Sequence, residues 1–282
     1  MNLALDGCLA KLMRAEVQIA DAERRFRAYT KNCCRLVRKN DSRAKQIIFT
    51  VLKFKEPPVL FALLIGEILH NLRCPLDYLV SENIRASGGT VAYRHSFPIC
   101  ETFADFKRAI GYKLVGLEQP QIDAIDRLQP YHAGNPHEHP LGLLARFNNT
   151  DKHRLLSVCH SPPYHLTTFH EGQDVEVASV TKVKQPNVGD VMVTYNVISE
   201  VRPSQVEVKP GFAFDVFIRQ TEVKPVLFPV VRTLRGILGF LDQEVFQSKD
   251  LIGTYQWGGD RFPVIAPWDK LIIPSQSRVQ AY

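Results

Sequence analysis

The chain has 282 residues, 45% hydrophobic and 23% charged, with 35 Lys and Arg against 29 Asp and Glu for a net charge of +6 and a pI near 9.0. A chain of this size and composition buries a sizeable core and reads as soluble and globular, in two domains or one domain with an appendage. The mild basic excess permits an RNA, DNA or nucleotide partner without requiring one.

No stretch reaches the roughly 18 uncharged apolar residues of a membrane span. The nearest, residues 59–65, is stopped by Glu67 and His70. The first residues include Asp6 and lack a basic n-region and a small-residue cleavage site, which predicts no secretory signal, no membrane partner and a cytoplasmic protein. Six cysteines show no CxxC spacing, and the vicinal pair Cys33-Cys34 is unsuited to an ordinary bridge, so buried or idle thiols in a reducing compartment are expected.

In chain order, residues 2–39 place Leu5, Leu9, Leu12, Ile19 and Phe26 at helical steps between many charges and predict a long amphipathic helix. Residues 45–55 fit a short strand, and Pro57-Pro58 suits the first turn of a helix running to about Ala86, where Ser87-Gly88-Gly89 ends it. Short helices are predicted over 103–110 and 120–128, then a turn at Gln129-Pro130-Tyr131, an exposed loop over 132–140 and a helix over 141–158. Residues 166–169, 174–183, 190–201, 205–209 and 212–221 alternate β-branched and aromatic residues between Pro, Gly and Asn turns, which predicts an antiparallel sheet. Residues 225–247 return to helical spacing, and the tail from Gly253, with Trp257 and Trp268, has little periodicity. The expected class is α+β: an N-terminal helical bundle, residues 1–160, then a β-rich domain with a packing helix, residues 161–282.

The second helix carries a polar stripe. At about 100° per residue, Ile65, Ile68, Leu69, Leu72 and Leu76 share one arc and Glu67, His70, Asn71, Cys74, Asp77 and Tyr78 the opposite one, with Arg73 at its edge. Such groups rarely enter a core unpaired. Arg73 lies three residues after His70 and four before Asp77, so the three side chains are within reach of one another. A carboxylate that orients an Arg and keeps a His basic gives the conditions for phosphate binding or proton transfer, while the same cluster can serve as a satisfied structural network. Glu67 and His70 also form an ExxH pair, but a di-iron bundle needs a second one and none is present. His137-Glu138-His139 has no identifiable further ligand, and no metal or cofactor is expected.

A second polar knot follows at Asn148-Asn149-Thr150-Asp151-Lys152-His153-Arg154. Arg146 and His153, with six residues between them, fall within the spacing of four to six intervening residues between arginine and histidine in a class of metal-independent ribonucleases, as do Arg127 to His132 and Arg154 to His160.

Glu67-x-x-His70-Asn71-Leu72-Arg73-x-x-Leu76-Asp77, Phe97-Pro98-Ile99, Gln129-Pro130-Tyr131 and Asp151-Lys152-His153-Arg154 together resemble, in order, an uncharacterised family of bacterial proteins over residues 57–156. That part is similar to the HEPN class (higher eukaryote and prokaryote nucleotide-binding), all-helical and often dimeric domains that include toxin and defence ribonucleases. The resemblance implies binding or cleavage of RNA or a nucleotide, a role in phage defence or stress response, and a homodimer. It implies a site formed by His70, Arg73 and Asp77, with Asp151, His153 and Arg154 from a packed helix. Arg would neutralise phosphate, His would exchange the proton and the carboxylates would orient both. Where relatives place a His after the Arg with four residues between, this chain has Tyr78, which titrates near pH 10 and is a poor proton shuttle at neutrality. The alternative is a non-catalytic module in which the stripe is structural and the β-rich half recognises a protein or small ligand.

Overall fold

The computed structural model describes residues 5–160, 165–170, 174–180, 186–220 and 226–253, with the backbone alone at 165–170, 213 and 220. The expected irregular tail with Trp257 and Trp268 lies outside the described residues. The protein is mixed α+β, with seven α-helices and nine strands among the described residues. It divides into two compact units, one drawn from Met1–Glu23, Val59–Ser157 and Ile218–Tyr282, the other from Arg24–Pro58 and Val158–Phe217. Both are discontinuous, whereas the order of predicted elements places one division near residue 160.

The first unit is helical. Helix α1, Asp6–Asn32, whose residues up to Glu23 belong to this unit, buries Leu12, Ala15, Ile19 and Ala22 at steps of three and four. Helix α2, Val59–Ala86, buries Phe61, Ile65, Ile68, Leu69, Leu72, Leu76 and Leu79 and runs through Pro75. By length and a mean hydropathy of 1.5 over its most apolar 18 residues, α2 could cross a bilayer, which the sequence reading missed. Half of that window is buried inside the protein, where α2 packs against α5 (Pro140–His153), α6 (Val230–Phe240) and α7 (Lys249–Ile252). Helices α3, Phe103–Lys113, and α4, Gln119–Arg127, complete the unit. The Asn83 amide donates to the carbonyls of Leu79 (2.8 Å) and Leu251 (2.9 Å) and accepts from Gln121 (2.7 Å), so a buried polar group is satisfied across three elements. The helix expected over 225–247 starts late. Strand β9, Val226–Pro229, precedes it, α6 begins only after Pro229, and a π-helical turn, Leu241–Val245, extends it.

In the second unit, strands β1 (Cys34–Asp41) and β2 (Gln46–Phe54) form an antiparallel hairpin. The long helix predicted to reach Lys39 therefore stops at Asn32. The Asn32 amide donates to the carbonyl of Ala28 (2.8 Å), and Asp41 Oδ1 accepts from the backbone of Arg43 and Ala44 (both 3.0 Å), fixing the turn that folds β1 onto β2. With β5 (Val175–Val180) and β6 (Val191–Val197) they make a four-stranded sheet in the order β1-β2-β6-β5. Its core is Ile47, Phe49, Val193, Tyr195 and Val197, with Val206 and Val208. Strand β4, His165–His170, pairs with β7, Val208–Ala213, and β3 is Val158–His160. The single strand expected over 212–221 is split before β8, Val216–Gln220, whose residues from Ile218 belong to the first unit, and Asp215 Oδ1 accepts from the Val216 backbone at 2.8 Å. A 3₁₀ turn, Pro203–Gln205, occupies the start of the strand expected over 205–209.

Helix α5 is capped by an unusual group. His139 Nδ1 accepts from the Leu141 backbone at 3.3 Å, and its ring stands edge-on to Phe240 at 4.9 Å. Burial pulls the imidazole from its ordinary value down to about 4. The unfolded chain therefore binds the proton first. This site's stability is fully present above pH 6.5 and is lost as pH falls towards 4, by up to about 3 kcal/mol. Urea unfolding of His139→Asn, which keeps a capping acceptor and removes the titration, is expected to vary less between pH 7 and pH 4 than unfolding of the wild type. Parallel pH profiles for the two proteins contradict this.

Candidate functional site

The two polar clusters of the sequence meet through Gly66. A Cβ at that position would stand 2.3 Å from Asp151 Oδ2 and 2.5 Å from its Cγ, so the Asp151 carboxyl of α5 lies directly against the backbone of α2. Burial there raises the Asp151 carboxyl above the usual carboxylate range, and the nearby His70 opposes the rise. The absence of a side chain at 66 thus brings an imidazole and a partly buried carboxyl together.

A groove of about 610 Å³ opens around this contact. From α2 it takes Glu67, His70 and Asn71, and from α5 it takes Asn148, Asp151 and Lys152. Helix α1 adds Lys11, Arg14 and Gln18, which share one face at spacings of three and four. A hydrogen-bonded chain fixes one wall: Lys11 Nζ donates to Asn71 Oδ1 (2.9 Å), Asn71 Nδ2 to Gln18 Oε1 (2.7 Å) and Gln18 Nε2 to Glu67 Oε2 (3.2 Å). Two lysines and an arginine face two carboxylates and a histidine in this one concavity. Such a surface has cations that can pair with an anion and groups that can move a proton. On the same helix His70 Nε2 lies 3.3 Å from the Cys74 thiol.

Arg73 and Asp77 belong to a different construction. Arg73 Nη2 donates to the Phe97 carbonyl at 2.7 Å and pairs with Asp77 Oδ1 at 2.9 Å, while Asp77 Oδ1 accepts from the Phe97 backbone N–H at 2.9 Å. The pair thus holds both polar groups of one residue. Burial lowers the Arg73 guanidinium from its ordinary value, with Asp77 opposing, and Nη1 is buried without a hydrogen-bond partner among the described residues. Gln129 grips the next turns of the same loop, accepting from the Cys100 N–H (2.9 Å) and donating to the Pro98 carbonyl (3.1 Å). The residues at 73, 77, 97, 98 and 129 that carry the resemblance are thus joined in one loop clamp, with Phe97 fully buried.

His153 is the last residue of α5 and Arg154 its C-cap, with the Arg154 N–H bonded to the Thr150 carbonyl at 2.8 Å. Neither lines the groove. Arg154 lines a separate pocket with Arg146. Tyr78 is 42% exposed, and its ring edge lies 3.6 Å from where a Cβ of Gly7 would be. Of the six expected site residues, the structure brings His70 and Asp151 into the groove and sets Arg73, Asp77, His153 and Arg154 elsewhere. Sequence reasoning missed Lys11, Arg14 and Gln18, whose signal was a polar stripe that also reads as a solvated face, and Gly66, whose signal was a lone Gly inside an apolar helix. Among the described residues no three His, Cys, Asp or Glu side chains gather closely enough to hold a metal ion.

No family model, curated protein or solved structure matches this chain. The geometry of the groove is therefore the ground for assigning a function.

Proposed function

We propose that this chain is a HEPN-like protein that binds RNA or a nucleotide in the groove between α1, α2 and α5, and that it acts in the cytoplasm in phage defence or stress response. The observation that carries this reading is the seating of Asp151 on Gly66, which sets His70 and a partly buried carboxyl beside Lys11, Arg14 and Lys152. The bound groups are phosphates, and the cations supply the attraction.

The same groups support metal-independent cleavage. His70 takes the proton of a ribose 2′-hydroxyl as its oxygen bonds to phosphorus. In its protonated form Asp151 gives a proton to the 5′-oxygen as the phosphorus–oxygen bond breaks, and the lysines neutralise the charge on the phosphoryl oxygens. In this proposal Arg73 and Asp77 are positioning residues that hold the loop at Phe97. A purely structural reading is favoured by one observation, the closed Lys11–Asn71–Gln18–Glu67 chain, which satisfies its own groups.

Cleavage of single-stranded RNA in EDTA separates the two. His70→Ala is expected to lower the rate by about 100-fold or more, and His153→Ala to leave it at the wild-type level. Equal cleavage by wild type and His70→Ala removes His70 from the chemistry. Absence of both RNA binding and cleavage in the wild type leaves the structural reading.

A further inference from the structure

Helix α5 presents a second polar surface, away from the groove residues. Arg146, Asn149 and Thr150 of α5 line a pocket of about 300 Å³ together with the C-cap Arg154, Ser157 and Arg219 of β8. It is separate from the α1–α2–α5 groove in every lining residue. Three guanidinium-bearing residues, three neutral polar ones and four apolar ones line it, and no Asp or Glu does among the described residues.

Its frame is built from short-range bonds. The Arg154 N–H bonds to the Thr150 carbonyl at 2.8 Å, turning the chain out of α5, and the Arg219 N–H bonds to the Ser157 carbonyl at 2.8 Å, tying β8 beside that turn. The Arg146 guanidinium is oriented by His137, with Nη1 3.1 Å from His137 Nδ1 and Nη2 bonded to the His137 carbonyl. The three arginines are thus placed by backbone and loop contacts around one concavity. Guanidinium forks match the oxygens of a phosphate, and Ser and Thr hydroxyls and an Asn amide add neutral donors without repelling it. The volume is at the lower end for ligand pockets, suited to one phosphate and a small attached group.

We propose that this pocket is a phosphate-monoester site, taking the phosphate of a nucleotide or of an RNA end. It stands independently of the groove, so each proposal fails or holds by itself.

Titration calorimetry in chloride buffer tests it on the full chain, first with inorganic phosphate, then with AMP against adenosine, and then with 5′-phosphorylated against 5′-hydroxyl RNA. Saturable phosphate binding with millimolar or tighter Kd is expected, at least about tenfold weaker in Arg154→Gln and Arg219→Gln. Arg219→Lys, which keeps the charge and loses the fork, is expected to fall between the wild type and the Gln variant. Tighter binding of AMP than of phosphate and adenosine supports the site and names a nucleotide. Preference for 5′-phosphorylated RNA supports it and names an RNA end. Absence of saturable wild-type binding by phosphate, AMP and 5′-phosphorylated RNA alike overturns the proposal and does not depend on any variant folding. Binding that survives both Gln substitutions, or that Lys152→Ala abolishes instead, also overturns it by placing the anion elsewhere.

Discussion

Gly66→Ala is expected to lower the stability of the chain by about 1–3 kcal/mol, the range for forcing an extra methyl into a filled space. Inside an exposed helix the same change usually stabilises, by up to about 1 kcal/mol, because Ala loses less backbone entropy. The sign reverses here because the added Cβ would meet Asp151 Oδ2 at 2.3 Å and Oδ1 at 2.4 Å, and a two-carbon side chain carries its whole carboxyl into the clash. In an Asp151→Ala background the obstruction is gone, and Gly66→Ala is expected to become neutral or stabilising. Urea unfolding of the four proteins gives the coupling directly, with at least about 1 kcal/mol expected for residues in contact. A Gly66→Ala single variant as stable as the wild type means that α5 does not seat its carboxyl on α2.

Arg73→Met is expected to cost about 2–4 kcal/mol, since it deprives the Phe97 carbonyl of its donor and leaves Asp77 without its cation. The Arg73 side chain is 15% exposed, so solvent only partly replaces the lost partner. Asp77→Asn is expected to cost less, because an Asn oxygen still accepts from the Phe97 N–H. The readouts are unfolding free energy and activity per folded molecule. Loss of stability with RNA cleavage per folded molecule retained identifies a positioning pair. Unchanged stability with lost cleavage makes Arg73 a catalytic residue and moves the site to the 97–100 loop.

The helices were legible wherever burial alone sets the pattern. The span of α2 follows from Ile65, Ile68, Leu72 and Leu76 at helical steps, with Pro57-Pro58 before it and Gly88-Gly89 after it. The end of α1 was not legible. Arg35, Arg38 and Lys39 sit at spacings that a solvated helix face and an edge strand share, and the hairpin is decided by pairing with β2, which a local window does not contain. The unit boundaries escaped for the same reason, because the hairpin and α6 each pack with segments distant in sequence.

The candidate site shows where the limit lies. Polar residues in the apolar run of α2 flagged Glu67, His70 and Asn71. A helical wheel gives a face and no partner, so it could not tell that Asp77, on the same arc, and Arg73, at its edge, are taken by the backbone of Phe97. Nor could it tell that the turn out of α5 carries Arg154 to another pocket. Lys11, Arg14 and Gln18 were invisible as site residues because a charged stripe on an amphipathic helix has an adequate explanation in solvent.

The affinity of the chain for a labelled single-stranded RNA, measured by fluorescence anisotropy across a salt series, tests the groove most directly. Binding that weakens with salt, falls at least about tenfold in Lys11→Ala/Lys152→Ala and loses about 0.7 of log–log slope for each phosphate contact removed is the expected result. An RNA affinity and salt slope unchanged by the double substitution, in a protein that remains folded, would contradict the assignment of the α1–α2–α5 groove.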